Sequence, residues 1–542
     1  MNLAEVLDPR EGDETTVAIY TATEEITRAE LRAQAEALAA VLRDGGLRTG
    51  QAVGVMLPNG PDIVAALFGV WFAGGVYVPL NPRLSAGELE HVIEEDRPAA
   101  IVTRPGDAPR VTAVPVVLAP GRGTWTATGP LDADAPASPP GVAAISFTSG
   151  TTGRPKPVPL LHDNVLGLID GVLSKLRGGR PEDDAPKPAP MPNLIPTSLS
   201  LWAGIYNVIF GFRAGAAVII MERFDTHVFA DFVTRFRLRS TVLPPAAMTM
   251  LADDASITTL VPLKYVRSIT APLSPMQARR FRDRFGVMVL NGWGQTEIGG
   301  EIVGWSAQDA KDFGDTHLGA VGRPHENVRL RISDAGEILV QTPMIDERSA
   351  AGDPMDGRLV DGWFHTGDLG RVDPEGFLWI EGRVSDMINR GGLKVFPEEV
   401  AEVVRLSPDV AECAVAGIPD DRLGEVPWAF VVPREGRELD ADALADLCRT
   451  HLAPYKVPVR FERIDALPRN EVGKVLLREL VALGPRASPP TAAPVRTCSS
   501  SSTTRASTPG CGRPTAPSLV APNVRRSAAL QPITSPPSSV WP

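Results

Sequence analysis

The run ISFTSGTTGRPK at 145–156 constrains this chain more than any other stretch of its 542 residues. Apolar positions lead into a loop of Gly, Ser and Thr that closes on Lys156, the pattern of a strand delivering backbone N–H groups and a cation to an anionic ligand. Gly150 and Gly153 let main chain close on phosphate oxygens, Thr148, Ser149, Thr151 and Thr152 add hydroxyl donors, and Lys156 supplies charge. The spacing is not the GxxxxGK[ST] of P-loop nucleotide hydrolases. An isolated Gly/Thr-rich loop is more often a flexible surface connection, and the completeness of TSGTTGRPK tells against that.

The flanking pattern is that of an α/β protein. Helical periodicity over 31–42 is followed by a β-branched run at 52–56 and a second helix over 62–73, and further strands are expected at 217–221, 240–243, 287–290 and 337–340. The apolar stretch 64–79 is shorter than the roughly 20 residues that cross a bilayer, and it contains Gly74-Gly75. It reads as a buried helix running into a strand. Near Gly382 a second unit begins, with a helix over 395–404 opened by Pro397 and the acidic pair Glu398 and Glu399. Strands at 411–417 and 428–432, a helix over 441–452 and the closing PRNEVGKVLLREL at 468–480 complete a small α+β domain. The expected organisation is a large α/β domain of several subdomains over 1–381, a connection at 382–386 and a small domain over 387–483.

Residues 484–542 differ in kind. They hold six Arg but no Asp, Glu or Lys, and Pro, Ser, Thr and Ala dominate, so they cannot bury a core. The composition fits either a disordered tail or translation of a GC-rich gene in a shifted frame. Without those arginines 48 basic residues face 65 acidic ones, a formal −17 against −11 for the whole chain. That balance argues against a nucleic-acid surface and for small-molecule chemistry. Cys413, Cys448, Cys498 and Cys511 form no CxxC pair, so neither a disulfide framework nor a zinc site is indicated. No secretory leader or membrane span is read from the sequence, and the expected location is the cytoplasm.

Four further motifs follow the loop in order: NGWGQTE at 291–297, HTGDLG at 365–370, EGRVSDMI at 381–388 and NEVGK ending at Lys474. With them, residues 5–482 resemble the adenylate-forming (AMP-binding) superfamily of acyl-CoA synthetases, aryl-CoA ligases, luciferases and peptide-synthetase adenylation domains. The resemblance implies an acid–thiol ligase that joins a carboxylic acid to ATP as acyl-AMP and then passes the acyl group to CoA. It implies ATP, Mg2+ and CoA as ligands. The segment Asn291, Gly292, Trp293, Gly294 and Gln295 would form the adenine loop, with the Trp293 ring near the base; Thr296 would reach phosphate and Glu297 would hold Mg2+, which lets two anions meet. Asp368 and Arg383 would meet ribose and phosphate, and Lys474 would bridge the attacking carboxylate and the ribose-phosphate oxygens. The small domain, 387–483, would be a mobile lid turning about 382–386, with Ser385 at the hinge position and Gly391 and Gly392 along the pantetheine arm.

The sequence departs from the family at three places. Pro157 replaces the glycine after the loop lysine, Leu199 stands where many relatives carry an acid-pocket histidine, and SITAPLS at 268–274 lacks a Gly-Ala pair, leaving Ala271 and Pro272 to fill a shortened loop. His162 reads as structural, and the other histidines suggest no metal constellation. The expected acid is fatty or otherwise hydrophobic. An acyl-AMP ligase or adenylation module loading an acyl carrier protein is the near alternative, and a non-catalytic nucleotide- or acyl-binding homologue the further one. Retention of Lys156, Glu297, Asp368, Arg383 and Lys474 speaks against the last.

Overall fold

The computed structural model describes residues 2–149, 155–177, 190–271, 273–350, 355–469 and 475–483. Residues Met1–Arg486 form one compact unit, and the segment 484–542 lies outside the described residues. The architecture is mixed α/β, a large N-terminal domain followed by a small C-terminal one.

The first large sheet has seven strands in the order Thr124–Ala127, Val116–Gly121, Ala100–Thr103, Ala52–Met56, Val76–Pro79, Val142–Ser149 and Pro155–Leu161. Its interior pairs are parallel and its two outermost pairs antiparallel. Helix Arg28–Asp44 begins with a capping box: the Glu30 N–H donates to the Thr27 hydroxyl at 3.1 Å and the Thr27 N–H to the Glu30 carboxylate at 2.8 Å. Its buried face is Leu31, Ala35, Leu38, Ala39 and Leu42, the helical spacing read from the sequence. Helix Pro61–Phe72 packs against it at Gly69, where a Cβ would stand 2.8 Å from the Ala35 carbonyl oxygen. The expected buried helix and strand of 64–79 are this helix and Val76–Pro79. Among the described residues no helix is long and apolar enough to cross a membrane.

A four-stranded sheet joins Asn193–Ile195, Val218–Ile220, Val17–Tyr20 and Glu25–Thr27, and a parallel three-stranded sheet joins Ser240–Leu243, Tyr265–Ser268 and Met288–Asn291. After Asn291 the pairing turns antiparallel, through Trp293–Gln295, Gly300–Gly304 and Arg323–Pro324. An antiparallel sheet follows, in which Trp363–Val372 pairs with Glu337–Gln341, Leu359–Val360 and Leu378–Arg383.

The small domain is built on the long hairpin Val410–Asp420 and Gly424–Pro433, flanked by Ile388–Arg390, Leu393–Val395 and Arg460–Arg463 and by helices Pro397–Val404 and Ala441–His451. The helix expected over 395–404 starts at Pro397, because Val395 pairs with Ile388 as strand and a residue just before proline avoids the helical region. Cys413 and Cys448 lie in this domain's core, where burial pushes their thiols up to about 12 and about 11.

Candidate active site

The strand Met288–Asn291 ends the parallel sheet, and its exit is tied back by the Gly292 N–H donating to the Ser268 carbonyl at 3.1 Å. Strand Trp293–Gln295 then runs so close to Gly300–Gly304 that a Cβ on Gly294 would collide with the Gly300 carbonyl. Thr296–Ile298 form a single 3-10 turn that Gly299 ends at φ 84°. The segment expected as a loop is thus a strand and a turn, which fixes the directions of Trp293, Gln295 and Glu297.

Trp293 and Gln295 converge on Asp368. The hairpin of Trp363–Val372 and Leu378–Arg383 sets Asp368 opposite Arg383. Asp368 is 5% exposed, and its Oδ2 accepts the Trp293 indole N–H at 2.9 Å and the Gln295 amide at 2.8 Å, while Oδ1 accepts Arg383 Nε at 2.8 Å. An ionised carboxylate offers about four lone-pair sites, so one remains. Trp293 is itself buried among Ile298, Ile302 and Val340, with its N–H spent on the carboxylate.

Sequence reasoning missed Arg358. Its Nη1 donates to Glu297 Oε1 at 3.2 Å, its Nη2 to Gln295 Oε1 at 3.1 Å and to the Thr366 carbonyl at 2.7 Å, and its Nε to the His365 carbonyl at 2.8 Å. The guanidinium also lies over the Phe364 ring, 4.4 Å from its centroid. One fork-shaped cation therefore joins the NGWGQTE and HTGD segments. A local signal is present, the Asp361-Gly362 turn that pairs Leu359 with Phe364 and Val360 with Trp363 and sets Arg358 opposite His365, but the contacts with Gln295 and Glu297 are tertiary. Glu297 sits half-buried with a carboxylate oxygen on Arg358, a donor set that suits Mg2+, which takes one or two carboxylates alongside phosphate oxygens.

Strands Val142–Ser149 and Pro155–Leu161, which carry the two ends of TSGTTGRPK, pair antiparallel at the edge of the seven-stranded sheet, with Thr148 opposite Lys156. The strand bearing Lys156 packs beside the Thr296–Ile298 turn, which brings the lysine's strand to Glu297. Gly150, Thr151, Thr152 and Gly153 lie outside the described residues, as does Lys474, and of Thr148 and Ser149 only the main chain is described. Pro157 falls on that edge strand, where a missing N–H is tolerated. Leu199 is buried, its N–H donating to Asn59 Oδ1 at 2.8 Å. In SITAPLS, Thr270 takes φ 76°, an uncommon left-handed conformation for a β-branched residue, and Pro272 lies outside the described residues.

In the small domain Gly391 and Gly392 form an exposed turn at φ 62° and 91°. The Gly391 N–H donates to the Leu423 carbonyl at 2.7 Å and the Gly392 N–H to Asn389 Oδ1 at 2.9 Å. Ser385 lies in the 3-10 turn Val384–Asp386, its hydroxyl donating to Asp386 Oδ1 at 2.9 Å. His162 accepts the Leu3 N–H on Nδ1 at 3.1 Å against Trp71, and burial pulls it down to about 4, in keeping with a structural role. Against the expectation for the histidines, His317 meets Asp373 and Glu375 with ligand atoms within 4.8 Å of one another. Asp373 there already accepts the Trp379 indole at 2.7 Å and the Phe377 N–H at 2.8 Å.

Residues 9–345 match the AMP-binding enzyme family and 399–474 the AMP-binding enzyme C-terminal domain. The chain is 32% identical to an indoleacetate–CoA ligase of Aromatoleum aromaticum over 89% of its own length and 98% of the relative's. It is 30% identical to a fatty acid–[acyl-carrier-protein] ligase of Streptomyces coeruleorubidus over 86% and 93%. Among solved structures, o-succinylbenzoate coenzyme A synthetase of Bacillus subtilis in complex with ATP and magnesium ion superposes with a TM-score of 0.74 at 26% identity, covering 88% of this chain and 99% of that one. The polar network around Asp368 and Glu297 thus lies in a chain that belongs, over both of its domains, to the AMP-binding enzyme family of adenylate-forming acid–CoA ligases.

Proposed function

We propose that this ligase activates a hydrophobic carboxylic acid, fatty or other, as acyl-AMP and then forms its CoA thioester, releasing pyrophosphate and AMP. The observation that carries the site assignment is the convergence of Trp293, Gln295 and Arg383 on Asp368, with Arg358 tying Glu297 into the same network. In this reading a ribose hydroxyl takes the remaining acceptor site of Asp368, and Arg383, whose side chain is 41% exposed, swings to phosphate or shares the carboxylate. The Trp293 ring faces adenine while its N–H holds Asp368. Lys156 neutralises phosphate charge, residues 148–153 donate hydrogen bonds to phosphate oxygens, and Glu297 would hold Mg2+, which screens carboxylate from triphosphate. Lys474 meets the carboxylate when the small domain closes, and rotation about 382–386 then carries Gly391 and Gly392 to the thiol arm.

The test is a carboxylic-acid panel with ATP and Mg2+, with and without CoA, scored by mass spectrometry for acyl-AMP and acyl-CoA. Acid-dependent acyl-AMP that CoA converts to thioester is the expected result; ATP binding without acid-dependent pyrophosphate release sinks the reading. Lys474→Ala should suppress adenylation far more than ATP binding, and equal loss of both would remove its assigned role. The likeness to a carrier-protein ligase favours one second reading, in which the thiol belongs to an acyl carrier protein. Thioester on a phosphopantetheinylated carrier but not on CoA would select it.

A further inference from the structure

Four residues past Glu297, outside every motif that the sequence singles out, Glu301 turns its carboxylate back beneath the nucleotide loop. It lies on strand Gly300–Gly304 opposite Gly294, and it pairs with Arg267 on strand Tyr265–Ser268 of the parallel sheet. The two side chains are 12% and 22% exposed. A Cβ on Gly292 would stand 2.8 Å from Glu301 Oε2, and one on Gly304 would collide with Oε1. His325, itself buried, places Nε2 3.4 Å from Oε1. The carboxylate therefore fills a slot between Gly292 on one side and Gly304 and His325 on the other. Burial pushes the Glu301 carboxyl up, but Arg267 and His325 outweigh it and hold the group at about 2, so it stays charged at working pH. The φ of Gly292 lies outside the left-handed region, so the requirement for glycine there is one of space.

We propose that the Arg267–Glu301 pair is a positioning device for adenylation: it sets the height of the Gly292–Gly294 main chain above the parallel sheet, and so the placement of Trp293, Gln295 and Glu297. Neither residue touches substrate; both act through the loop. An enclosed ion pair suits the task because it is costly to break and both of its ends are anchored in strands. The inference rests on the nucleotide-loop reading above and adds to it the reason that Gly292 is glycine.

The experiment is a double-mutant cycle read by steady-state kinetics on the full chain: wild type, E301A, G292A and the E301A/G292A pair, with E301Q as the conservative control. E301A should raise KM for ATP about tenfold while KM for the acid stays within about twofold, since the displaced loop faces the nucleotide. E301Q, which keeps the shape and a hydrogen bond to Arg267, should recover most of that loss. G292A should be costly in wild type and add little once Glu301 is gone, because the slot is then open. An equal cost of G292A in both backgrounds overturns the proposal, as does an E301A enzyme that loses thermal stability but keeps its KM for ATP. Where E301A does not fold, E301Q replaces it in the cycle: Gln retains the contact, so G292A must stay costly there, and a harmless G292A refutes the device. A wild type that releases no pyrophosphate with any acid refutes the nucleotide reading instead, so the two failures are distinguishable.

Discussion

Around Asp368 in the large domain, three donors from two strands, Trp293–Gln295 and Leu378–Arg383, converge on one buried carboxylate, and a fourth side chain, Arg358, ties Gln295 to the strand that carries Asp368. At Gly391 and Gly392 in the small domain the chain instead presents an exposed turn of bare main chain, held by hydrogen bonds from its own N–H groups to Asn389 and Leu423. The contrast follows from what each region would do in the proposed cycle. Stabilising charge demands dipoles fixed in advance, because reorienting them during reaction cancels their benefit. Passing a flexible thiol arm demands clearance, which glycine gives and side chains remove.

The largest expected effect breaks the comparison at its rigid end. Asp368→Ala leaves the Trp293, Gln295 and Arg383 donors without their acceptor, and kcat/KM for pyrophosphate release should fall about a thousandfold. A loss under about tenfold would mean that the network is scaffolding and not site. Next, Arg358→Ala should cost about a hundredfold in the same assay, with Arg358→Lys recovering little because an ammonium cannot fork to both Glu297 and Gln295. Full rescue by lysine would reduce Arg358 to a point charge.

At the open end, Gly391→Ala forces a Cβ into a left-handed backbone, 3.2 Å from Leu423 Cδ2. The thioester step should slow about tenfold in single-turnover assays while acyl-AMP formation is unchanged. A matched loss in both half-reactions would erase the division of labour between the two regions. The smallest effect is on stability. Burial and then Glu398 push the Glu402 carboxyl, on helix Pro397–Val404, from 4.5 up to about 7. The folded chain thus holds a proton between those values that the unfolded chain releases; the associated stability is present below 4.5 and is lost as pH rises through 7. Glu402→Gln should unfold like wild type at low pH and be about 1 kcal/mol more stable above neutrality, measured by denaturant titration across pH. Equal stability of the two at high pH would show that the helix face is solvated.

Much of the fold is local in origin and legible for that reason. The strands Ala52–Met56 and Ser240–Leu243 match the β-branched runs residue for residue, since flanking breakers leave such short apolar segments few alternatives. Where the reading erred, a pairing partner decided. Val395 was drawn into strand by Ile388, and NGWGQTE became strand and turn because Gly300–Gly304 folds back on it. In the candidate site Asp368, Arg383, Gln295 and Glu297 were legible as motif members. Arg358 was not, and neither was Glu301, whose partner Arg267 lies 34 residues earlier.

The sequence by itself determined the order of the motifs, the α/β layering and the set of polar residues from which an adenylating site is drawn, because each is written in side-chain type and spacing along one stretch of chain. The tertiary structure alone decided which of those residues share a hydrogen bond. Trp293 reaches Asp368 from a strand 75 residues earlier, which packs against the hairpin that sets Asp368 opposite Arg383. Arg358 and Glu301 gain their parts through side-chain partners, Gln295 and Glu297 for one and Arg267 for the other, which packing between elements distant in sequence supplies and no local window of residues encodes.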